Sequence, residues 1–401
     1  MNKYIKAFAA TMSVLVLTSS LAACGNKTTS SKEITVWSRL NGSDKEVEAV
    51  NKAAQEWATK NGKKVKVVSD KSEFQAFLQA ANSSQGPDVV FGVPHDNLGT
   101  FYKANLLAEV PSGLIDKSKY NQRGIESVSF DNKLYGAPIS IETALLFINT
   151  DKVKEAPKTF EELREKAKTL GFKYDINNIY FSFPFVAANG GYVFKSNNGV
   201  PDVNDVGMGN EGAIKGYQIL QDLVQKDKLM PADIKGDMAK GEFQNGNTAF
   251  YIGGPWDIDG FKEAGVKFQA VPYPTLNGNP MPAFVGVQTA FVNAKSTANK
   301  DDCFALMNYL VENTQEALFD INVRVPALNS VAESSKIKDN AVAKAVLDQA
   351  KNGVVMPNVP EVQSMWKVND SMSLLTSGQL SATDFAKKVL ADIKQGIQQQ
   401  K

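Results

Sequence analysis

The sequence predicts an α/β fold in two lobes, each a mostly parallel sheet flanked by helices, joined by a hinge with several crossovers. Three observations lead there. Short apolar runs alternate with amphipathic helical stretches along most of the chain. The 401 residues exceed one typical domain. The interior has no Ser/Gly/Pro-rich linker, so two interwoven lobes fit better than separate beads.

The elements follow in order. "EITVW" (Glu33 to Trp37) is a first strand, and "EVEAVNKAAQEWATKNG" is a helix with Val47, Val50, Ala54 and Trp57 on one face and Gly62 as its stop. "KKVKVVS" is strand-like, "KSEFQAFLQAANSS" helical, and "GPDVVFGV" an apolar strand introduced by Gly86-Pro87. Such alternation puts strand ends and the loops after them on one rim, where ligands bind. "KLYGAPISIETALLFINTDKV" continues the pattern, and Thr159 with Glu162 forms a capping-box signature at the head of "TFEELREKAKTLG". A second set of elements follows "YFSFPFVAANGG": the helix "NEGAIKGYQILQDLVQKDKL", the strand "FVGVQTAFVNA" and helices up to "SATDFAKKVLADIKQGI". Trp57 belongs on a buried face, Trp37 is assigned to the core, and Cys303 in "DDCFALMNYL" is a small buried hydrophobe.

The N-terminus reads differently. "MNKYIKAFAATMSVLVLTSSLAAC" has Lys3 and Lys6 before an apolar run and small residues before Cys24, the layout of a secretory signal over residues 1–23. Leu21-Ala22-Ala23-Cys24 resembles a bacterial lipobox, which implies a lipidated Cys24 as the first mature residue; the alternative is an ordinary signal that leaves Cys24 as a free thiol. Residues 24–32 are small and polar, as a flexible tether requires.

Removal of the signal takes two lysines with it and turns the whole-chain charge of +1 into about −1. No basic field invites nucleic acid. With two cysteines in all, a disulfide framework is excluded. His95 is the one histidine, there is no Gly-x-Ser-x-Gly elbow, no phosphate-binding Gly-rich loop and no Cys/His cluster of metal-ligand spacing. No metal or cofactor is therefore expected. A carboxylate pair such as Glu142 with Asp96 keeps a glycosidase open.

What the sequence does carry is a scatter of polar and aromatic groups at predicted strand ends. "SRLNGSDKE" brings Arg39, Asn41, Asp44 and Lys45 after the first strand, and "PHDN" brings His95, Asp96 and Asn97 after the third. "GEFQNGNTAFYIGGPW" delivers Trp256 just past a Gly-Gly-Pro turn, and Trp366 follows the Pro-containing loop of "MPNVPEVQSMW". Carboxylates, amides and ammonium groups can bind sugar hydroxyls, while a ring covers the apolar C–H face of a pyranose. Each polar group taken singly is equally a helix cap or a solvated loop residue.

In this order, "ITVW", "GPDVVF", "YGAPISIETALLFINTD", "PKTFEEL", "FPFVAANGGYVFK", "DVGMGNEGA", "FQNGNTAFYIGGPW", "PAFVGVQ" and "MPNVPEVQSMW" resemble the maltose/maltodextrin-binding proteins, extracellular solute-binding proteins of ABC sugar importers. The resemblance covers nearly the whole mature chain. It implies the two-lobe periplasmic-binding-protein-like fold, with an N-terminal lobe of residues 33–141 plus 290–335 and a C-terminal lobe of 142–289 plus 336–401. It also implies a monomer that closes over an oligosaccharide and presents it to the importer's membrane subunits, with no covalent chemistry. By the same resemblance Trp256 and Trp366 stack on glucosyl rings, and Asp44, Lys45, Asp96, Glu142 and Tyr180 bind hydroxyls.

Departures from the pattern bear on the sugar. Asn178 stands where the family has glutamate, Asn97 and Asp370 where it has arginine, the tryptophan before the His-Asp pair is missing from "FGVPHDN", and the first loop adds Arg39. Arg39, Asn97 and Asn178 are further candidates. A galactoside or cyclodextrin in the same cleft, a surface glycosidase and an adhesin are the alternatives.

Overall fold

The computed structural model describes residues 32–40, 42–197 and 200–400, so the signal, Cys24 and all of the tether except Lys32 lie outside the described residues. Among the described residues no helix is long and apolar enough to cross a membrane.

Two sheets organise the chain. The larger has seven strands, in the order Val325–Pro326, Ala137–Thr143, Phe284–Val292, Val89–Pro94, Ile34–Ser38, Val65–Ser69, with Val354–Val355 added on Phe284–Val292. Its first three chain segments, 34–38, 65–69 and 89–94, pair in parallel as helix-alternating strands do. Phe284–Val292 runs antiparallel to both its long neighbours. The smaller sheet has the order Phe268–Val271, Leu145–Asn149, Phe250–Gly253, Phe172–Lys173.

Strand direction in this second sheet corrects the expectation of mostly parallel pairing in each lobe. Leu145–Asn149 is antiparallel to both its neighbours, and only Phe250–Gly253 with Phe172–Lys173 is parallel. The reason is connectivity. One residue, Ala144, separates Leu145–Asn149 from Ala137–Thr143, so the strand enters the second sheet straight from the first, with no intervening helix to reverse its course.

Two apolar cores flank these sheets. One gathers Val36, Trp57, Phe77, Phe91, Phe101, Phe291 and Leu310; the other gathers Phe147, Phe172, Tyr174, Phe183, Tyr217, Phe250 and Phe385. The chain passes between them three times: from Ile139 to Ala144, from Phe284 to Ala290, and from Leu328 to Ile337. The helix Lys300–Asn322 touches both, with Cys303 to Leu318 in the first core and Phe319 in the second.

Local signals act close to where they stand in the sequence. Helix Asp44–Asn61 buries Val50, Ala53, Ala54, Trp57 and Ala58 on one stripe and ends at Gly62, whose φ of 62° is a left-handed cap that suits glycine. Thr159 Oγ1 accepts from the Glu162 N–H over 3.1 Å, while Glu162 reaches the Lys158 N–H over 2.9 Å, one residue before the reciprocal partner of a capping box. Cys303 is buried as a free thiol.

Candidate functional site

The aromatic side of the site is built by two turns. Strand Phe250–Gly253 ends in Gly254, and the turn Pro255–Asp257 folds the Trp256 ring back across it. A Cβ on Gly254 would lie 2.3 Å from that ring, and one on Gly253 would lie 2.2 Å from the Tyr251 ring. The double glycine is thus the space in which the indole lies. Asp257 fastens the turn by accepting from the Tyr251 hydroxyl at 3.1 Å and the Gly254 N–H at 3.3 Å. Tyr180 stands in the first turn of helix Ile179–Ala187, where Asn178 is the N-cap and accepts the Tyr180 N–H over 3.0 Å.

These rings form one cluster. The Tyr180 ring centroid lies 6.1 Å from that of Trp256, 6.5 Å from that of Trp366 and 5.2 Å from that of Phe181. Together with Pro94, Glu142, Asn178, Gly286, Gln288 and Met356, the rings of Tyr180, Phe181 and Trp256 line a cavity of 330 Å³. Its walls come from both cores. A second space of 630 Å³ adjoins it through Pro94 and Gln288 and is lined by Arg39, Asp70, Lys71, Phe74, Asn97 and Asp237, among others.

The polar side holds buried carboxylates. Asp96, in the turn His95–Asn97, accepts the Trp366 indole N–H over 2.9 Å. Burial pushes its carboxyl up to about 6, against the pull of that hydrogen bond. Glu142 lies at the end of Ala137–Thr143, and its Oε1 accepts from Ser140 at 3.1 Å and from Arg324, while its Oε2 accepts from Gln288 at 3.1 Å. Arg324 is fully buried and donates with its other edge to both oxygens of Glu46. Burial, and after it the Glu142 and Asp96 carboxylates, push the Tyr180 phenol above its ordinary range, so its hydroxyl is a neutral donor.

His95 braces the site without entering it. Its Nδ1 accepts the Val287 N–H at 3.1 Å, which fixes the tautomer, so Nε2–H donates to the Met356 carbonyl at 3.0 Å. Burial lowers it to about 4, and the ring is neutral.

The structure brings Glu142, Asn178, Tyr180 and Trp256 to one cavity, sets Asp96 and Trp366 beside it, and places Arg39 and Asn97 on the adjoining space. Asn97 donates to the Pro94 carbonyl at 3.1 Å. Arg39 is engaged by Asp70 and the Ser72 carbonyl and lies 4.1 Å over the Phe77 ring. Asp44 and Lys45 line neither space. Asp44 is exposed and pairs with Lys71 at 3.3 Å; Lys45 pairs with Asp259 at 2.9 Å and Glu263 at 2.6 Å on helix Ile258–Glu263, just past the Trp256 turn. Asp370 is exposed.

Sequence reasoning did not single out Phe181, Gln288, Arg324 or Met356. Two had a signal: Gln288 is a lone amide in the apolar strand "FVGVQTAFV", and Arg324 a lone cation in the apolar "INVRVPAL".

A cleft walled by two α/β cores, with rings on one side and buried hydrogen-bonding groups on the other, defines a binding protein for a polar solute with an apolar face. The chain belongs to the bacterial extracellular solute-binding protein family, which matches residues 52–345. It is 32% identical to the galactooligosaccharide-binding protein of Bacillus subtilis over 88% of each chain. To the maltooligosaccharide ABC transporter solute-binding lipoprotein of Streptococcus pneumoniae it is 30% identical over 99% of each. The maltose-maltodextrin binding protein of Alicyclobacillus acidocaldarius superimposes with a TM-score of 0.86 at 35% identity, covering 90% of this chain and 100% of that one.

Proposed function

We propose that the protein captures a maltodextrin-type α-glucan oligosaccharide between its lobes and hands it to an ABC importer without chemical change. The observation that carries this is the Tyr180–Trp256–Trp366 ring cluster set against Asp96 and Glu142. Rings on one wall suit the C–H face of glucosyl units, and the carboxylates and the Tyr180 hydroxyl suit their equatorial hydroxyls. The printed names of the pneumococcal and Alicyclobacillus proteins support the same sugar class.

The lobes of the proposal are 33–141 plus 290–335 and 142–289 plus 336–401, and the partition of the two apolar cores supports that division. Sugar favours the closed arrangement of such lobes by as much as it binds that form better. The closed molecule, a monomer, then offers the transporter one fixed outer surface. Glu142 has both oxygens engaged, by Ser140, Arg324 and Gln288, which speaks for a binding role over that of a glycosidase acid or nucleophile. Lipidation at Cys24 anchors the chain at the outer face of the cell membrane, and the lipoprotein name of the pneumococcal relative supports this.

One observation favours a second reading. The Bacillus subtilis relative is named for galactooligosaccharides, and Asn97 and Asp370 replace charged residues of the maltodextrin pattern. Tryptophan emission of a protein starting at Glu33, titrated with maltotriose, galactosyl and β-glucosyl oligosaccharides, decides between them. Saturation with maltotriose alone supports the first; saturation with a galactosyl sugar alone transfers the role to the second.

A further inference from the structure

Gln288 lies where the two spaces of the cleft meet and lines both, yet it is only 7% exposed. Alternation along Phe284–Val292 puts Gly286 and Gln288 on the same face of the strand, and both line the aromatic cavity. The Gln288 amide Nε2 donates to Glu142 Oε2 over 3.1 Å, while its Oε1 is buried with no partner.

The orientation of this amide is not a free choice. Glu142 is held as an acceptor by the fully buried Arg324, which donates to its other oxygen. A carboxylate only accepts, so the amide must turn its nitrogen toward Glu142 and its carbonyl the other way. Buried carbonyl oxygens in folded chains nearly always have a donor, and the one missing here borders open space on both sides.

We infer that Gln288 is a specificity-determining contact whose Oε1 accepts a hydrogen bond from a ligand hydroxyl at the junction of the two spaces, with Arg324 as the positioning residue that fixes its orientation through Glu142. The assignment rests on the reading of the cleft as an oligosaccharide site. It adds to that reading a polar checkpoint, placed between the aromatic cavity and the Arg39–Asp70 side, that a ligand lacking one particular hydroxyl does not satisfy.

The test is calorimetric titration of the wild type, Gln288→Met, Arg324→Gln and Arg324→Lys with the panel sugar that saturates the protein and with its monodeoxy derivatives; melting curves establish that each variant is folded. Gln288→Met keeps the chain length and removes the amide. It is expected to weaken binding of the parent sugar about tenfold. One monodeoxy sugar should bind the wild type and Gln288→Met equally. Arg324→Gln should lose the same discrimination and Arg324→Lys, which keeps the charge, should retain it. Equal affinity of Gln288→Met and wild type for the parent sugar, or an unchanged ratio across every deoxy derivative, overturns the Gln288 assignment while the cleft still binds sugar. An Arg324→Gln protein that is folded and still discriminates overturns the positioning role. A wild type that binds no sugar in the panel removes the oligosaccharide reading, and the assignment falls with it.

Discussion

Trp366 donates its indole N–H to the buried carboxylate of Asp96 over 2.9 Å, joining a ring near the C-terminus to a turn 270 residues earlier. Both groups stand beside Tyr180. The ring that is to stack on a sugar and the acid that is to bind its hydroxyls are thus one rigid unit.

This unit has a pH signature. Asp96 takes up a proton at about 6 in the folded protein against 3.8 as a free side chain, so the folded state binds the proton first. Its contribution to stability is complete below the lower value and is lost as pH rises through the higher one, a span worth roughly 3 kcal/mol at most. Asp96→Asn is therefore expected to melt higher than the wild type at pH 7.5 and to lose that advantage at pH 4. A constant difference between the two pH values in calorimetric melts would count against the buried-acid assignment.

The neighbouring His95 works in the opposite sense. Its folded value of about 4 lies below the ordinary 6.5, so the unfolded chain takes up the proton first. The stability of the neutral buried ring is complete above pH 6.5 and is lost as pH falls toward 4, again roughly 3 kcal/mol. In the wild type the two slopes oppose each other between pH 4 and 6. His95→Asn should uncover the Asp96 slope, visible as urea midpoints that rise on acidification within that window.

Gly254→Ala is predicted to imitate Trp256→Ala. The new Cβ, 2.3 Å from the present ring position, forces the indole off the cavity wall although alanine itself touches no ligand. Loss of one stacking ring costs about 1 kcal/mol beyond area burial, so both variants should bind roughly five- to tenfold more weakly. Emission titrations check it, and wild-type affinity in Gly254→Ala would show that the ring has room to lie elsewhere.

Lys45 separates two roles by salt. As an ion pair with Glu263 and Asp259 it joins the first helix to the helix after the Trp256 turn, at a solvent-exposed place where ions screen it. Lys45→Met should weaken sugar binding at low ionic strength and converge with the wild type in 1 M salt. A loss that persists in high salt would instead mark direct contact with the ligand.

Arg324→Met leaves Glu46 and Glu142 buried and facing each other without their shared cation. Breaking such a pair from one side typically costs about 3–5 kcal/mol. Urea denaturation should show a loss of that size, and Glu46→Gln combined with Arg324→Met should recover part of it.

The sequence by itself determined what depends on neighbours along the chain. Helix Asp44–Asn61 with its Trp57 stripe, the Gly62 stop and the Thr159 cap are set by periodicity and capping within a few residues. The Gly-Gly-Pro turn is of the same kind: the need for glycine and the location of Trp256 share one short segment. Motif order was sufficient to place Glu142, Tyr180, Trp256 and Trp366 among the candidates, because their surroundings in the chain are distinctive. Tertiary structure alone decided which groups meet. Lys45 and Glu142 are both charged residues near strand or helix ends, yet one faces helix Ile258–Glu263 and the other a cavity shared with Gln288. Arg324 is joined to Glu46 across 278 residues, and no local pattern encodes that separation. The strand directions of the second sheet are of this sort too, fixed by the direct passage through Ala144. Local geometry follows from sterics and hydrogen bonds between near neighbours, whereas pairing of buried polar groups follows from which segments the two cores bring together, a property of the whole chain.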